Sequence, residues 1–127
     1  MPFRCSKKFR FSAAHALTQL PESHKCQAMH GHNYEVAVTL ESDKLHLGMV
    51  VDFGEISEWW EACMKPLLDH RNLNEVPELA YLRNAGMTAE VLAKWIFVAA
   101  TYEFRGRVYS VRVQETPTCW AEYIRED

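Results

Sequence analysis

The sequence predicts an α+β fold: an antiparallel four-stranded sheet covered on one face by two helices, in the order ββααββ. Two observations carry this. Three stretches alternate apolar and polar residues with a period of two, a fourth strand follows the turn at Thr116-Pro117-Thr118, and two other stretches repeat apolar residues at helical spacing. Strand follows strand at each end of the chain with the helices between, so no parallel crossover is implied. At 127 residues and 48% hydrophobic content, residues 1–127 read as one domain with a real core.

The first strand is expected over residues 3–15. Phe3, Cys5, Phe9, Phe11, Ala13 and His15 share one parity, and Lys7 interrupts it, which calls for a bulge, an edge position or another register there. Residues 16–29 form a polar connection too long for a hairpin turn, with His24 at its surface. A second strand follows from His32, where Tyr34, Val36, Val38 and Leu40 alternate with Glu35, Ala37, Thr39 and Glu41. Residues 42–52 connect it to a helix over 54–68, whose apolar set runs from Phe53 through Ile56, Trp59, Trp60 and Met64 to Leu68. Pro66 lacks a backbone donor and costs about 3 kcal/mol inside a helix, so a kink or an early end is expected there.

Residues 76–87 read as a loop. Thr88 can then cap a second helix, with Glu90 in its first turn and Val91, Leu92, Trp95, Ile96, Val98, Ala99 and Tyr102 on a wide apolar face; Gly106 suits its exit. A third strand spans 107–115, with Tyr109, Val111 and Val113 facing one way. The last runs from Cys119 to Arg125.

Net charge is −3, from 14 basic and 17 acidic residues, which gives no electrostatic case for nucleic acid or an anionic membrane. The N-terminal residues lack the apolar centre of a signal peptide, and no apolar run is long enough to span a membrane, which points to the cytoplasm. Four cysteines, at 5, 26, 63 and 119, form no C-x-x-C pair, so a disulfide framework is not expected.

The chemistry concentrates in Cys26-Gln27-Ala28-Met29-His30-Gly31-His32-Asn33-Tyr34. His30 and His32 lie two apart on the apolar parity of a strand, so both rings reach toward one protected point, as zinc ligands must. His15 falls on the apolar parity of the first strand. If the two strands pair, it completes a three-histidine site that leaves the metal an open position. Cys26 is either a fourth ligand or a thiol with a lowered pKa that serves as base or nucleophile. Asp69 and His70 can act as orienter and proton carrier, but only on irregular backbone, because neighbours on a regular element point apart. Glu115 ends an apolar row. It needs a distant Arg or Lys, a frayed strand end, or a ligand presenting a pair of N–H donors.

Phe11-Ser12-Ala13-Ala14-His15, Cys26-x-x-x-His30-Gly31-His32-Asn33-Tyr34, Val51-Asp52-Phe53, Leu68-Asp69-His70, Thr88-Ala89-Glu90 and Gln114-Glu115-Thr116 occur in the order in which they mark one family. On these residues the chain resembles the 6-pyruvoyl-tetrahydropterin synthase family over nearly its whole length. The three-residue gap between Cys26 and His30 is similar to the bacterial 6-carboxy-5,6,7,8-tetrahydropterin synthase branch of queuosine biosynthesis, although Met87 stands where that branch often has proline.

The resemblance implies a T-fold subunit that oligomerises into a barrel, as a homohexamer with active sites between subunits. It implies a zinc-dependent lyase acting on 7,8-dihydroneopterin triphosphate, releasing acetaldehyde and triphosphate. In that scheme His15, His30 and His32 hold zinc, Cys26, Asp69 and His70 move protons, and Glu115 accepts the N–H donors of the pterin, with Thr88 and Glu90 in the same pocket. Lys25 is a candidate for the triphosphate. Two alternatives stand beside it: a 6-pyruvoyl-tetrahydropterin synthase on the same substrate, and a non-catalytic zinc-stabilised binding module with Cys26 as fourth ligand.

Overall fold

The alternation in the first two strands becomes an unbroken antiparallel ladder in the computed structural model, which describes residues 1–126. Strand β1 (Phe3–His15) pairs with β2 (His30–Ser42) from Phe3 opposite Ser42 to His15 opposite His30, without a shift of register. Lys7 therefore sits in no bulge. The edge position is the alternative that holds, since within this chain the outer side of β1 is paired only at Ala13 and Ala14. Asp127, the last residue of the expected domain, lies outside the described residues.

The sheet has five strands rather than four, and it is mixed rather than wholly antiparallel. Two residues, Arg71–Asn72, form β3 and run parallel to β1 beside Ala13 and Ala14. A two-residue strand has no periodicity to read. It is held there because the His70 N–H donates to the Ser12 carbonyl at 2.6 Å and the Ser12 N–H donates to the Asp69 carboxylate at 3.0 Å. Strands β4 (Val108–Thr116) and β5 (Cys119–Ile124) complete the order β3-β1-β2-β4-β5.

The first helix runs through Pro66 instead of stopping. Helix α1 (Phe53–Trp59) passes into a π-helical turn, Trp60–Met64, and then into the short α2 (Lys65–Leu68). The Lys65 N–H bonds back to the Trp60 carbonyl, five residues away. The wider turn shifts the bonding pattern just before proline, where an α-helix would lose a bond and clash. Asp52 caps the start by accepting the Gly54 N–H at 2.7 Å. Residues expected to be loop after this region include a 3-10 segment, Pro77–Ala85.

Helix α3 (Ala89–Phe104) turns a different stripe inward from the one expected. Leu92 and Ile96 are buried as predicted, but with Ala93, Phe97, Ala100 and Phe104, while Val98 and Tyr102 face solvent. Apolar residues occur all round this helix, so spacing alone does not orient it. Its exit is made by Arg105, at φ 55°, and not by Gly106.

Both helical segments cover one face of the sheet. Phe9 stacks on Trp60 with centroids 4.6 Å apart, Trp59 meets Phe104 at 5.6 Å, and Phe11 stacks on Tyr34 at 4.8 Å. Strand β4 departs from simple alternation twice. Its register against β2 shifts at Tyr109, so Val108 takes the buried place and Tyr109 lies under the Arg4 guanidinium at 3.7 Å. The expected facing of Tyr109 with Val111 and Val113 is thereby broken. A second shift, against β5, falls at Glu115.

Candidate metal centre

Antiparallel pairing without a slip carries three histidines to one place. His15 closes β1 directly opposite His30, which opens β2, and His32 lies two residues along on the same face. Ring centroids are 4.5 Å apart for His15–His30, 5.1 Å for His15–His32 and 4.9 Å for His30–His32. One nitrogen from each ring lies within 4.8 Å of the others, so the group can hold a metal ion. His15 donates through Nδ1 to the Met87 carbonyl at 2.6 Å, and His30 through Nδ1 to the Ala28 carbonyl at 2.8 Å. Bonds of this kind fix the tautomer and turn Nε2 toward the ion.

Among the described residues the Nε2 atoms of His15 and His32 are buried with no hydrogen-bond partner. A buried polar atom left unpaired costs about 1–3 kcal/mol, and a metal removes that cost. Burial, opposed by the Met87 carbonyl and by Glu115, pushes the His15 pKa down and keeps the ring in the neutral form that ligates. Three imidazoles suit a borderline transition-metal ion. The residues present fit such an ion.

Glu115 is the extra residue at the β4–β5 bulge, and bulges re-aim side chains. Its carboxylate stands 3.8 Å from His32 Nε2, and among the described residues no Arg or Lys forms an ion pair with it. With Glu90, Ala89, Cys119 and Trp120 it borders a cavity of about 130 Å³ at the start of α3. Thr88 caps that helix through its hydroxyl, which accepts the Val91 N–H at 3.2 Å. Glu115 thus meets the histidine cluster within one chain.

Cys26 lies outside the histidine cluster among the described residues. It sits in a 3-10 turn, Lys25–Gln27, where its N–H donates to His24 Nδ1 at 3.0 Å. His24 is thus a local cap rather than a bystander. Asp69 and His70 occupy the irregular backbone the pair requires, with His70 at φ 59°. Ser12 and His70 hold the Asp69 carboxyl below the usual carboxylate range, the Ser12 N–H contributing most. Asp69 reaches His70 Nδ1 at 3.1 Å, and the His70 side chain is 82% exposed. His70 and His32 border one cavity of about 500 Å³, but among the described residues no hydrogen bond or ion pair links His70 to the three histidines.

Three supports were not legible beforehand. The Met87 and Ala28 carbonyls are backbone groups, whose partners no side-chain pattern reveals. Asn74 clamps Ala16, the residue after His15, by accepting its N–H at 2.8 Å and donating to its carbonyl at 3.0 Å. The Tyr34 hydroxyl is buried without a partner, and burial pushes its pKa up, so it remains a protonated donor.

Fold and site together define an α+β protein with a three-histidine centre able to hold a metal, flanked by a carboxylate that pairs with no Arg or Lys among the described residues. Residues 4–126 match the 6-pyruvoyl tetrahydropterin synthase family, and the chain belongs to it. A 6-carboxy-5,6,7,8-tetrahydropterin synthase of Synechocystis is 36% identical over 124 residues, covering 93% of this chain and 90% of the relative. One from Haemophilus influenzae is 29% identical, covering 95% and 98%. A 6-pyruvoyl tetrahydrobiopterin synthase of Drosophila melanogaster is 31% identical, covering 88% and 73%. Among solved structures, 6-pyruvoyl tetrahydropterin synthase of Caenorhabditis elegans superposes with a TM-score of 0.85 at 26% identity, covering 99% of this chain and 97% of that one. No helix among the described residues is long and apolar enough to cross a membrane.

Proposed function

We propose that this chain is a zinc-dependent 6-carboxy-5,6,7,8-tetrahydropterin synthase, a lyase that converts 7,8-dihydroneopterin triphosphate to 6-carboxytetrahydropterin, acetaldehyde and triphosphate in queuosine biosynthesis. The observation that carries it is the pair of buried Nε2 atoms on His15 and His32 that make no hydrogen bond, set beside a carboxylate with no Arg or Lys partner among the described residues. The bacterial relatives named 6-carboxy-5,6,7,8-tetrahydropterin synthase support this product branch.

His15, His30 and His32 would hold the ion. Bound zinc supplies Lewis acidity toward the oxygens of the substrate side chain. Glu115 accepts the paired N–H donors of the amino-pyrimidinone edge, which a carboxylate matches in shape and charge. Glu90 shares that cavity and Thr88 sets its helix wall. Cys26 acts as the thiolate that moves protons on the side chain, and His70, oriented by Asp69, carries the complementary transfers. The exposure of His70, and the lack of any bond from it to the three histidines, support a site completed between subunits. The dyad of one chain then serves the centre of another in a hexameric barrel.

The decisive experiment is incubation of the zinc-loaded protein with 7,8-dihydroneopterin triphosphate, followed by product identification. Acetaldehyde together with 6-carboxytetrahydropterin is expected. A 6-pyruvoyl product without acetaldehyde would move the chain to the second branch, which the Drosophila relative favours. A non-catalytic module closed by a fourth protein ligand finds less support, because Cys26 stands apart from the histidine cluster.

A further inference from the structure

Among the described residues, three buried side-chain polar atoms make no hydrogen bond: His15 Nε2, His32 Nε2 and the Tyr34 hydroxyl. They are neighbours. The Tyr34 ring meets His32 edge-on at 5.4 Å and His15 at 5.9 Å. Interior polar groups are nearly always satisfied, so three orphans in one place point to a single missing guest. A metal ion accounts for the two imidazoles. It leaves the phenol unexplained, because a protonated hydroxyl is a donor and needs an acceptor oxygen.

Packing does not explain the hydroxyl either. Tyr34 is 1% exposed and stacks on Phe11 at 4.8 Å, a contact that phenylalanine would make equally well. The strand alternation places Tyr34 on the same face as His30 and His32. The Tyr34 ring is edge-on to both imidazoles, so a guest seated on the histidines lies beside the phenol.

We propose that Tyr34 donates a hydrogen bond to the side-chain oxygen of the substrate that enters beside the three histidines, making it a specificity determinant for hydroxylated pterin side chains. The proposal rests on the pterin-synthase function above and adds a residue to its recognition. It predicts that the phenol senses the side chain of the pterin and not its ring, which Glu115 reads.

The test compares the wild type with Tyr34→Phe, each loaded with Co(II). Three titrations are made: Co(II) alone, 7,8-dihydroneopterin, and 7,8-dihydropterin, which lacks the side chain. Affinity for Co(II) and for 7,8-dihydropterin should be unchanged, while 7,8-dihydroneopterin should bind about tenfold more weakly to the variant. The metal-free variant should melt no lower than the wild type, since it loses only an unpaired hydroxyl. Equal affinity of both proteins for 7,8-dihydroneopterin would overturn this proposal alone. So would equal weakening of both pterins with a lower melting point, which marks a structural hydroxyl. A wild type that takes up Co(II) but binds neither pterin would overturn the pterin function and this inference with it.

Discussion

A neutral imidazole ligates and a protonated one does not, so the surroundings of His15 matter as much as its place in a motif. Burial depresses its pKa while the Met87 carbonyl holds its Nδ1 proton. The contact uses the Met87 backbone, so it does not depend on the Met87 side chain. In the proposed mechanism Cys26 and Glu115 have different tasks. Cys26 lies outside the metal cluster, so Cys26→Ala should retain zinc, measured by metal analysis, and the same melting point. Its turnover should drop at least about a hundredfold, the usual scale for a lost proton-transfer group. Glu115 stands close to His32 but belongs to no ligand set. Glu115→Gln should weaken pterin binding by about 2 kcal/mol, as loss of a charge-assisted hydrogen bond does, with zinc affinity nearly untouched. Calorimetric titration of each ligand separates the two, and equal losses would make Glu115 a structural residue.

Elements of irregular geometry place these side chains. The bulge at Glu115 turns a residue that would end an apolar row toward the histidines, and the bulge at Tyr109 moves an aromatic out to the arginines. The π turn before Pro66 carries the helix on to Leu68, so that Asp69 and His70 emerge beside Ser12. Helix α3 begins beside the histidine cluster: Thr88 caps it, and the residue before Thr88 holds His15. Thr88→Ala should therefore do two things. Loss of the cap should lower stability by about 1 kcal/mol in denaturant titration. Loosening of the Met87 carbonyl should also weaken zinc binding about tenfold in a chelator competition, the scale seen when a partner behind a ligand is lost. An unchanged zinc affinity would show that Met87 is held independently of the cap.

At the scale of the whole molecule, β1 is paired on its outer side only at Ala13 and Ala14, and β5 ends the sheet on the other side. Unpaired edges of this length invite pairing with another chain, which fits the proposed barrel. Joining subunits would also give His70 a reaction centre to serve. Cys26→Ala and His70→Ala should each be inactive alone. Refolded together, they should regain up to about a quarter of wild-type turnover if each site draws its dyad from a neighbouring subunit, by random pairing in a symmetric oligomer. A mixture as dead as its components would place both groups in the same subunit's site.

Alternation and helical spacing are local properties, and they sufficed for the long strands, the two helical regions and the three histidines of matching parity. Glu115, Asp69 and His70 were also visible, as residues whose chemistry conflicted with their local setting. Other features depend on atoms far apart in the chain. The parallel strand Arg71–Asn72 exists because Ser12 captures Asp69 and His70. The inward stripe of α3 was chosen by the sheet it covers, since apolar residues occupy most of the circumference of that helix. The partnerless hydroxyl of Tyr34 could not be read from the sequence, because whether a polar atom finds a partner depends on every neighbour that folding brings to it.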